Sequence, residues 1–264
     1  MIALLMVSCS CDVRYGCIGI DKTDWSWASL IFDADLDSNE DIYVTNGYRR
    51  YALDNDSKTN IVNAKRQFKG KVPLTIKEQI YNALPSERLA NILYKNKGDL
   101  KFEDVTSLSD LNEPSFSNGA AYSDLDNDGD LDLVVNNMDS EAFIFQNMAI
   151  ENDTGRYLKV ITNGILSEDF AKIQISFNGI TKTKESKRVR GYLSAVDTPM
   201  IFGLGNATVI DTVRVFWPSG KYEERYKIAA NTTITFDELN ATDQRAINLA
   251  NETPLNVNNQ LLQF

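Results

Sequence analysis

The chain has 264 residues, 43% of them hydrophobic, which is enough for one large or two ordinary cores and excludes wholesale disorder. It contains no histidine, so imidazole bases, Ser-His and Cys-His nucleophile pairs and His-ligated zinc are ruled out. The formal net charge of −10 is local: "DADLDSNED" (33–41) and "DLDNDGDLD" (124–132) carry five acidic residues each and no basic ones, which accounts for the whole excess. Charge concentrated in this way points to cation sites rather than to a solvating acidic surface.

The opening "MIALLMVSC" has a short apolar run and no basic region before it. Two readings follow: a lipoprotein-type signal with Cys9 as the lipidated residue, or a chain that starts partway through a longer gene. The missing signal features favour the second. Cys9, Cys11 and Cys17 all lie in the first seventeen residues, so they can supply no disulfide framework. No stretch approaches the roughly 18 apolar residues needed to span a bilayer.

Next come "WASLIFDADLDSNEDIYVTNG" (27–47) and "GAAYSDLDNDGDLDLVVNN" (119–137), which share one plan. Small and apolar residues lead into an acidic loop, and an alternating β-branched segment follows, "DIYVTN" or "DLVVNN". Those segments are predicted strands. "NILYKNKGDLKFEDVT" (91–106) reads as a hairpin turning near Lys97, Gly98 and Asp99, and "AFIFQN" (142–147) matches its first arm. Strand, acidic loop and three further strands make a four-stranded meander, the unit of a propeller blade.

The two loops begin 91 residues apart, too far for one plain blade of about 40–50 residues. The excess falls at 54–90, where "PLTIKEQIYNALP" predicts a helix with Thr75 and Glu78 as a capping box and Ile76, Ile80 and Leu84 on one face. The basic run "AKRQFKGK" (64–71) reads as a solvated face rather than an anion patch. From about 151 to 240 the acidic loops give way to "RYLKVITNG", "KIQISFNG", "TVRVFWPSG" and "TTITFDEL", strands of a second, all-β domain of sandwich or barrel type. A polar tail occupies 241–264.

Calcium takes six to eight oxygens from a tightly curled chain. Carboxylates at loop positions 1, 3, 5 and 9 with a backbone carbonyl at 7 meet that need. In the second loop these are Asp124, Asp126, Asp128 and Asp132 with the carbonyl of Asp130, and Gly129 permits the sharp turn. The first loop repeats the spacing with Asp33, Asp35, Asp37 and Asp41, and with Asn39 at position 7. There Ser38 replaces the glycine at a cost on the order of 1 kcal/mol, so this site is expected to be the weaker of the two. An oxygen-only set favours calcium over strictly octahedral magnesium. The alternative is a surface turn whose aspartates merely cap the backbone. An EF-hand is excluded, because position 12 is Val44 or Val135 instead of a bidentate Glu and strands follow in place of helices.

These loops resemble FG-GAP/VCBS repeats, the calcium-bearing blade units of integrin-like β-propellers. "VRGYLSAVDTPMIFGLGNATVIDTVRVFWPSGK" (189–221) resembles the ASPIC/UnbV domain, with its "RGYLS", "FGLG" and "WPSG" motifs. That domain typically follows such repeats in bacterial surface proteins and in extracellular cartilage acidic protein. The resemblance covers roughly 19 to 240 and implies an all-β chain: the C-terminal blades of a propeller with a helical insertion, followed by a small β domain. It departs from the family in three ways. A ring of about seven blades is implied where one full blade and part of another are present, which marks the chain as an N-terminally truncated member. The opening residues do not match a repeat, and a glycine-containing turn is shortened at "SEDFAKIQIS".

The expected function is a non-catalytic, calcium-stabilised binding or adhesion module, secreted or at the cell surface, whose partner is a protein or a glycan. Candidate contact residues are Trp25, Trp27, Tyr48, Arg49 and Arg50. Gly203 and Gly205 are expected to make a tight bend, and Trp217 to end a strand and pack on the core. Arg188, Arg190 and Tyr192 read as a solvated strand edge. The alternative is a polysaccharide lyase or hydrolase or its carbohydrate-binding part. It would need two acids across a cleft, and no such pair stands out; Asp169 or Asp197 facing a shared pocket would favour it. Nucleic acid is not an expected partner of so acidic a chain.

Overall fold

The structure is a computed structural model and describes residues 19–20, 23–50, 55–164, 170–196 and 199–243. Cys9, Cys11, Cys17, Asp169, Asp197 and the polar tail beyond 243 lie outside the described residues. The chain is mostly strand with a small helical insertion, the all-β class its alternating segments predict.

Strands β1 (Ser26–Phe32), β2 (Asp41–Asn46), β3 (Ile92–Asn96) and β4 (Phe102–Asp104) form one antiparallel sheet in sequence order; β5 (Ser117–Ser123), β6 (Asp132–Asn137) and β7 (Phe143–Phe145) form another. Helices α1 (Asn55–Gln67) and α2 (Leu74–Ala83) are inserted between β2 and β3. Alternation sets the inner faces. Ala28, Leu30 and Phe32 of β1, Tyr43 of β2, Ala120 of β5 and Leu133 and Val135 of β6 close one shared core.

The first hairpin of each sheet repeats the other at an offset of 91 residues, down to its irregularities. The register shifts between Ser26 and Ser29 in β1 and between Ser117 and Ala120 in β5. At the strand ends away from the acidic loops, a buried polar network joins the two sheets. The Asn91 side chain accepts from the Asn46 N–H (2.9 Å) and donates to Ser117 Oγ (2.9 Å), which in turn bonds Asn137 Oδ1 (2.7 Å). Thr45 Oγ1 donates across to the Asn118 carbonyl (2.7 Å).

The helical insertion is present, with Ile76, Ile80 and Leu84 half-buried on one face as their spacing requires. The expected capping box is not. Pro73 stands at the N-cap without a side-chain cap, and its carbonyl accepts from Lys77 N–H at 3.0 Å. The helix therefore begins ahead of Thr75 and Glu78, which lie inside it. Proline's fixed φ is already suited to a helix start, so the turn forms two positions earlier than the Thr75 hydroxyl could cap it.

The C-terminal part is a sandwich of two sheets. One holds β9 (Lys172–Phe177), β10 (Ile180–Glu185), β12 (Val209–Phe216) and β13 (Lys221–Ala229) in the order β10-β9-β12-β13, extended by a two-residue strand at 242–243. The other has β11 (Met200–Gly205), β8 (Arg156–Asn163) and β14 (Thr232–Asp237) in the order β11-β8-β14, with β14 parallel to β8. Leu158, Ile173, Ile175, Phe202, Val213 and Phe236 fill the space between them. Trp217 follows β12 and is buried in this core, the packing role its position predicts. Strand β10 ("ITKTKE") alternates polar with charged residues, and in β13 ("KYEERYKIA") three consecutive charges interrupt the Tyr222, Tyr226, Ile228 spacing, so no clean apolar period announced them.

The expected bend at "FGLG" is corrected in part. Gly203 is an interior residue of β11, and only Gly205, at φ +55 and beside a register shift, makes the turn. Met200, Phe202 and Leu204 face the sandwich core while Ile201 joins the core of the N-terminal sheets. This strand is buried on both faces, which is why it reads as continuously apolar and not alternating.

Candidate metal centre

The acidic loops connect β1 to β2 and β5 to β6, and both curl in the same way. Positions 4 and 6 are left-handed in each: Leu36 (φ +59) and Ser38 (φ +81) in the first, Asn127 (φ +64) and Gly129 (φ +108) in the second. Ser38 thus adopts the conformation that glycine supplies in its counterpart. Position 9 closes each loop. Asp41 Oδ2 accepts from the Ala34 N–H (3.0 Å) and Oδ1 from Asn96 N–H (2.8 Å); Asp132 repeats this with Leu125 and Asn147, both at 2.8 Å.

The curl gathers carboxylates that repel one another. In the first loop Asp33, Asp35 and Asp37 each offer an oxygen within 4.8 Å of the others; Asp41 is not in this group, its oxygens facing the two amides. In the second, Asp124, Asp126 and Asp132 form one such group and Asp126, Asp128 and Glu151 another. Asp130 sits apart, fully buried, with Oδ2 accepting from the Ile150 N–H at 3.1 Å. Asn39 donates its backbone N–H to Asp37 Oδ1 (2.7 Å).

Within the two loops, four buried carboxylate oxygens have no hydrogen-bond partner among the described residues: Asp33 Oδ1, Asp124 Oδ1, Asp128 Oδ2 and Asp130 Oδ1. A buried carboxylate oxygen without a partner is costly unless a cation or a proton satisfies it. Burial pushes the Asp33 carboxyl up to about 8, Asp130 to about 7 and Asp41 to about 6, and neighbouring carboxylates add to each shift. The chain brings lysines to both loops, and Lys184 also reaches Glu40 of the first at 3.0 Å. Lys95 bonds Asp35 in the first, and Lys159 Nζ lies 2.7 Å from Asp124 Oδ2 in the second. Each lysine takes one oxygen of its aspartate. The oxygen-only donor set and the unpartnered atoms fit a hard divalent cation.

Lys95, Lys159 and Glu151 were not legible as part of these sites. They lie 19 to 54 residues beyond the loops they serve and carry no local pattern. Only an isolated charge opposite an acidic run could have suggested them.

Among the candidate contact residues, two have structural roles. Trp27 donates Nε1–H to the Gly47 carbonyl (2.6 Å) and packs on Tyr192 at 4.8 Å between ring centroids. The Arg50 guanidinium donates to the Asn82 and Leu84 carbonyls, both at 3.0 Å, closing the end of α2, and lies over the Tyr81 ring. Arg49 pairs with Asp139. Trp25 stacks on Tyr48 at 4.5 Å and stays 42% exposed. Tyr192 is therefore packed against the N-terminal sheet and is not part of a free edge, whereas Arg188 is exposed and Arg190 only half-buried, its Nη2–H reaching the Glu185 carbonyl. No helix among the described residues is long and apolar enough to cross a membrane.

No curated protein matches the chain. Residues 171–243 match the family model described as ASPIC and UnbV, which supports an ASPIC/UnbV domain in the C-terminal sandwich that carries "FGLG" and "WPSG".

Proposed function

We propose that the chain is a calcium-stabilised binding module of the extracellular space or cell surface, without catalysis of its own. On this reading its two N-terminal sheets are blades of an FG-GAP/VCBS propeller. The observation that carries it is the pair of equivalently curled loops holding four buried carboxylate oxygens without partners. In the second loop the ligands are Asp124, Asp126, Asp128 and Asp132 with the Asp130 carbonyl; in the first they are Asp33, Asp35 and Asp37 with the Asn39 carbonyl, while Asp41 closes the loop through the Ala34 and Asn96 amides. Calcium supplies charge neutralisation there and nothing chemical beyond it. The surface offered to a protein or glycan partner includes the Trp25–Tyr48 stack, an apolar face with polar edges of the kind enriched at recognition sites.

Thermal melts in calcium and in EDTA test the metal. A ligand at about 100 times its Kd contributes roughly 2.7 kcal/mol per site, which for a chain of this size is a shift of about 5–10 °C. Asp124→Ala with Asp128→Ala should remove the second loop's share of that shift. Superimposable melts of the unmutated protein would refute calcium binding.

A further inference from the structure

We infer that the cation held by the acidic loops is also what seats the C-terminal sandwich on the N-terminal sheets, with the "FGLG" strand β11 as the receptor for the first loop. This inference rests on the calcium reading above.

In the first loop Leu36 is fully buried, and its carbonyl accepts the Gly205 N–H at 2.8 Å. A Cβ on Gly203 would overlap the Asp33 carboxylate, and one on Gly155 would overlap the Leu36 carbonyl. Both glycines are thus required by close approach of the loop, and not by their own backbone angles. Around them, Thr154 Oγ1 donates to the Asp35 carbonyl (3.0 Å) and Lys184 Nζ bridges Glu40 (3.0 Å) and the Ile201 carbonyl (2.8 Å). The second loop meets β8 in the same manner. The Tyr157 ring lies against Gly129, leaving no room for a Cβ, and Lys159 reaches Asp124.

The connecting segment 146–155 is threaded between the two loops. Gln146 Nε2 donates to Asp126 Oδ2 (2.8 Å), Asn147 Nδ2 to the Ala34 carbonyl (2.7 Å) and Ile150 N–H to Asp130 Oδ2 (3.1 Å). Glu151 adds its carboxylate to Asp126 and Asp128.

All of these contacts require the curled loop. The Leu36 carbonyl is aimed at Gly205 only while Leu36 and Ser38 hold positive φ, a conformation that opposes their own preference. Lys95 pairs with Asp35 alone at hydrogen-bond distance, so of the three carboxylates gathered within 4.8 Å Asp33 and Asp37, when ionised, still repel each other unless a metal cation lies among them. Removing the cation therefore releases the curl, and with it the face on which β11 and β8 rest. The sandwich core, which lies on the opposite face of both strands, does not depend on the loops.

Hydrogen exchange of the full chain in calcium and in EGTA, paired with calorimetric titration of calcium chloride, tests this. The segment 200–206, which contains the Gly205 amide, should exchange at least tenfold more slowly in calcium, while 172–177 and 209–216 in the sandwich core stay unchanged. Calcium binding without any change at 200–206 overturns the inference and leaves the calcium reading standing. Absence of binding heat overturns both. Gly203→Ala should keep 200–206 fast-exchanging even in calcium while the second loop still binds. Glu151→Gln, a change at an exposed position, should weaken the second loop's affinity about tenfold; an unchanged affinity removes the connecting segment from the junction.

Discussion

Asp33 and Asp130 are placed where a charge is expensive and a proton or a cation is the remedy. Their carboxyls, raised by burial to about 8 and about 7, bind protons more tightly in the folded chain than in the unfolded one. Such groups contribute stability fully below the unfolded value near 4 and lose it as pH rises through the folded value. The metal-free protein should therefore melt at lower temperature at pH 8 than at pH 5, and saturating calcium should flatten or reverse that trend. A metal-free melting temperature that climbs between those pH values would show that these carboxyls are not held protonated. Ser38 carries a separate cost, a positive φ together with a buried hydroxyl that has no partner. Ser38→Gly relieves both and should stabilise the protein by about 1 kcal/mol, read as a melting temperature higher by roughly 2–4 °C.

The elements divide by how they announce themselves. Strands β1, β8 and β14 each bury one set of alternate residues, and the period-2 pattern made them legible. Strand β2 buries residues on both faces and β5 carries a register shift, while β10 alternates polar with charged residues and β13 is interrupted by adjacent charges, so pairing with a buried neighbour decides their state. The start of α2 was misplaced because Pro73 sets the first turn ahead of the Thr75 hydroxyl. The Asn46–Asn91–Ser117–Asn137 network was not legible either, since single amides at strand ends read as turn punctuation. Its energetic role is testable. Asn91→Ala leaves the buried Asn46 N–H and Ser117 hydroxyl short of a partner, and should cost about 1–3 kcal/mol in chemical denaturation. A loss near zero would show that the two sheets are joined by apolar packing alone.

At the scale of the molecule, the N-terminal sheets present an edge. Strand β7 is short, pairs on one side only with β6, and leaves Ile144 70% exposed. An unpaired apolar edge is a template for association. Ile144→Lys should accordingly lower the aggregated fraction measured by light scattering without shifting the melting temperature by more than about 2 °C, since surface changes away from packed features are usually within ±0.5 kcal/mol. Equal aggregation in the variant would locate association elsewhere.

By itself the sequence determined the all-β class, the two curled acidic loops, the 91-residue repeat of the first hairpin and the place of the helical insertion. These follow from local rules: a period of two, aspartates on alternate positions, and a residue able to turn left-handed. Only the tertiary structure decided that Glu151, Lys95 and Lys159 converge on those loops, and that Gly203 is small because a carboxylate from the other end of the chain lies against it. Those relations join residues up to 170 positions apart. Close packing between separate elements sets them, and local pattern carries no record of what a side chain will eventually face.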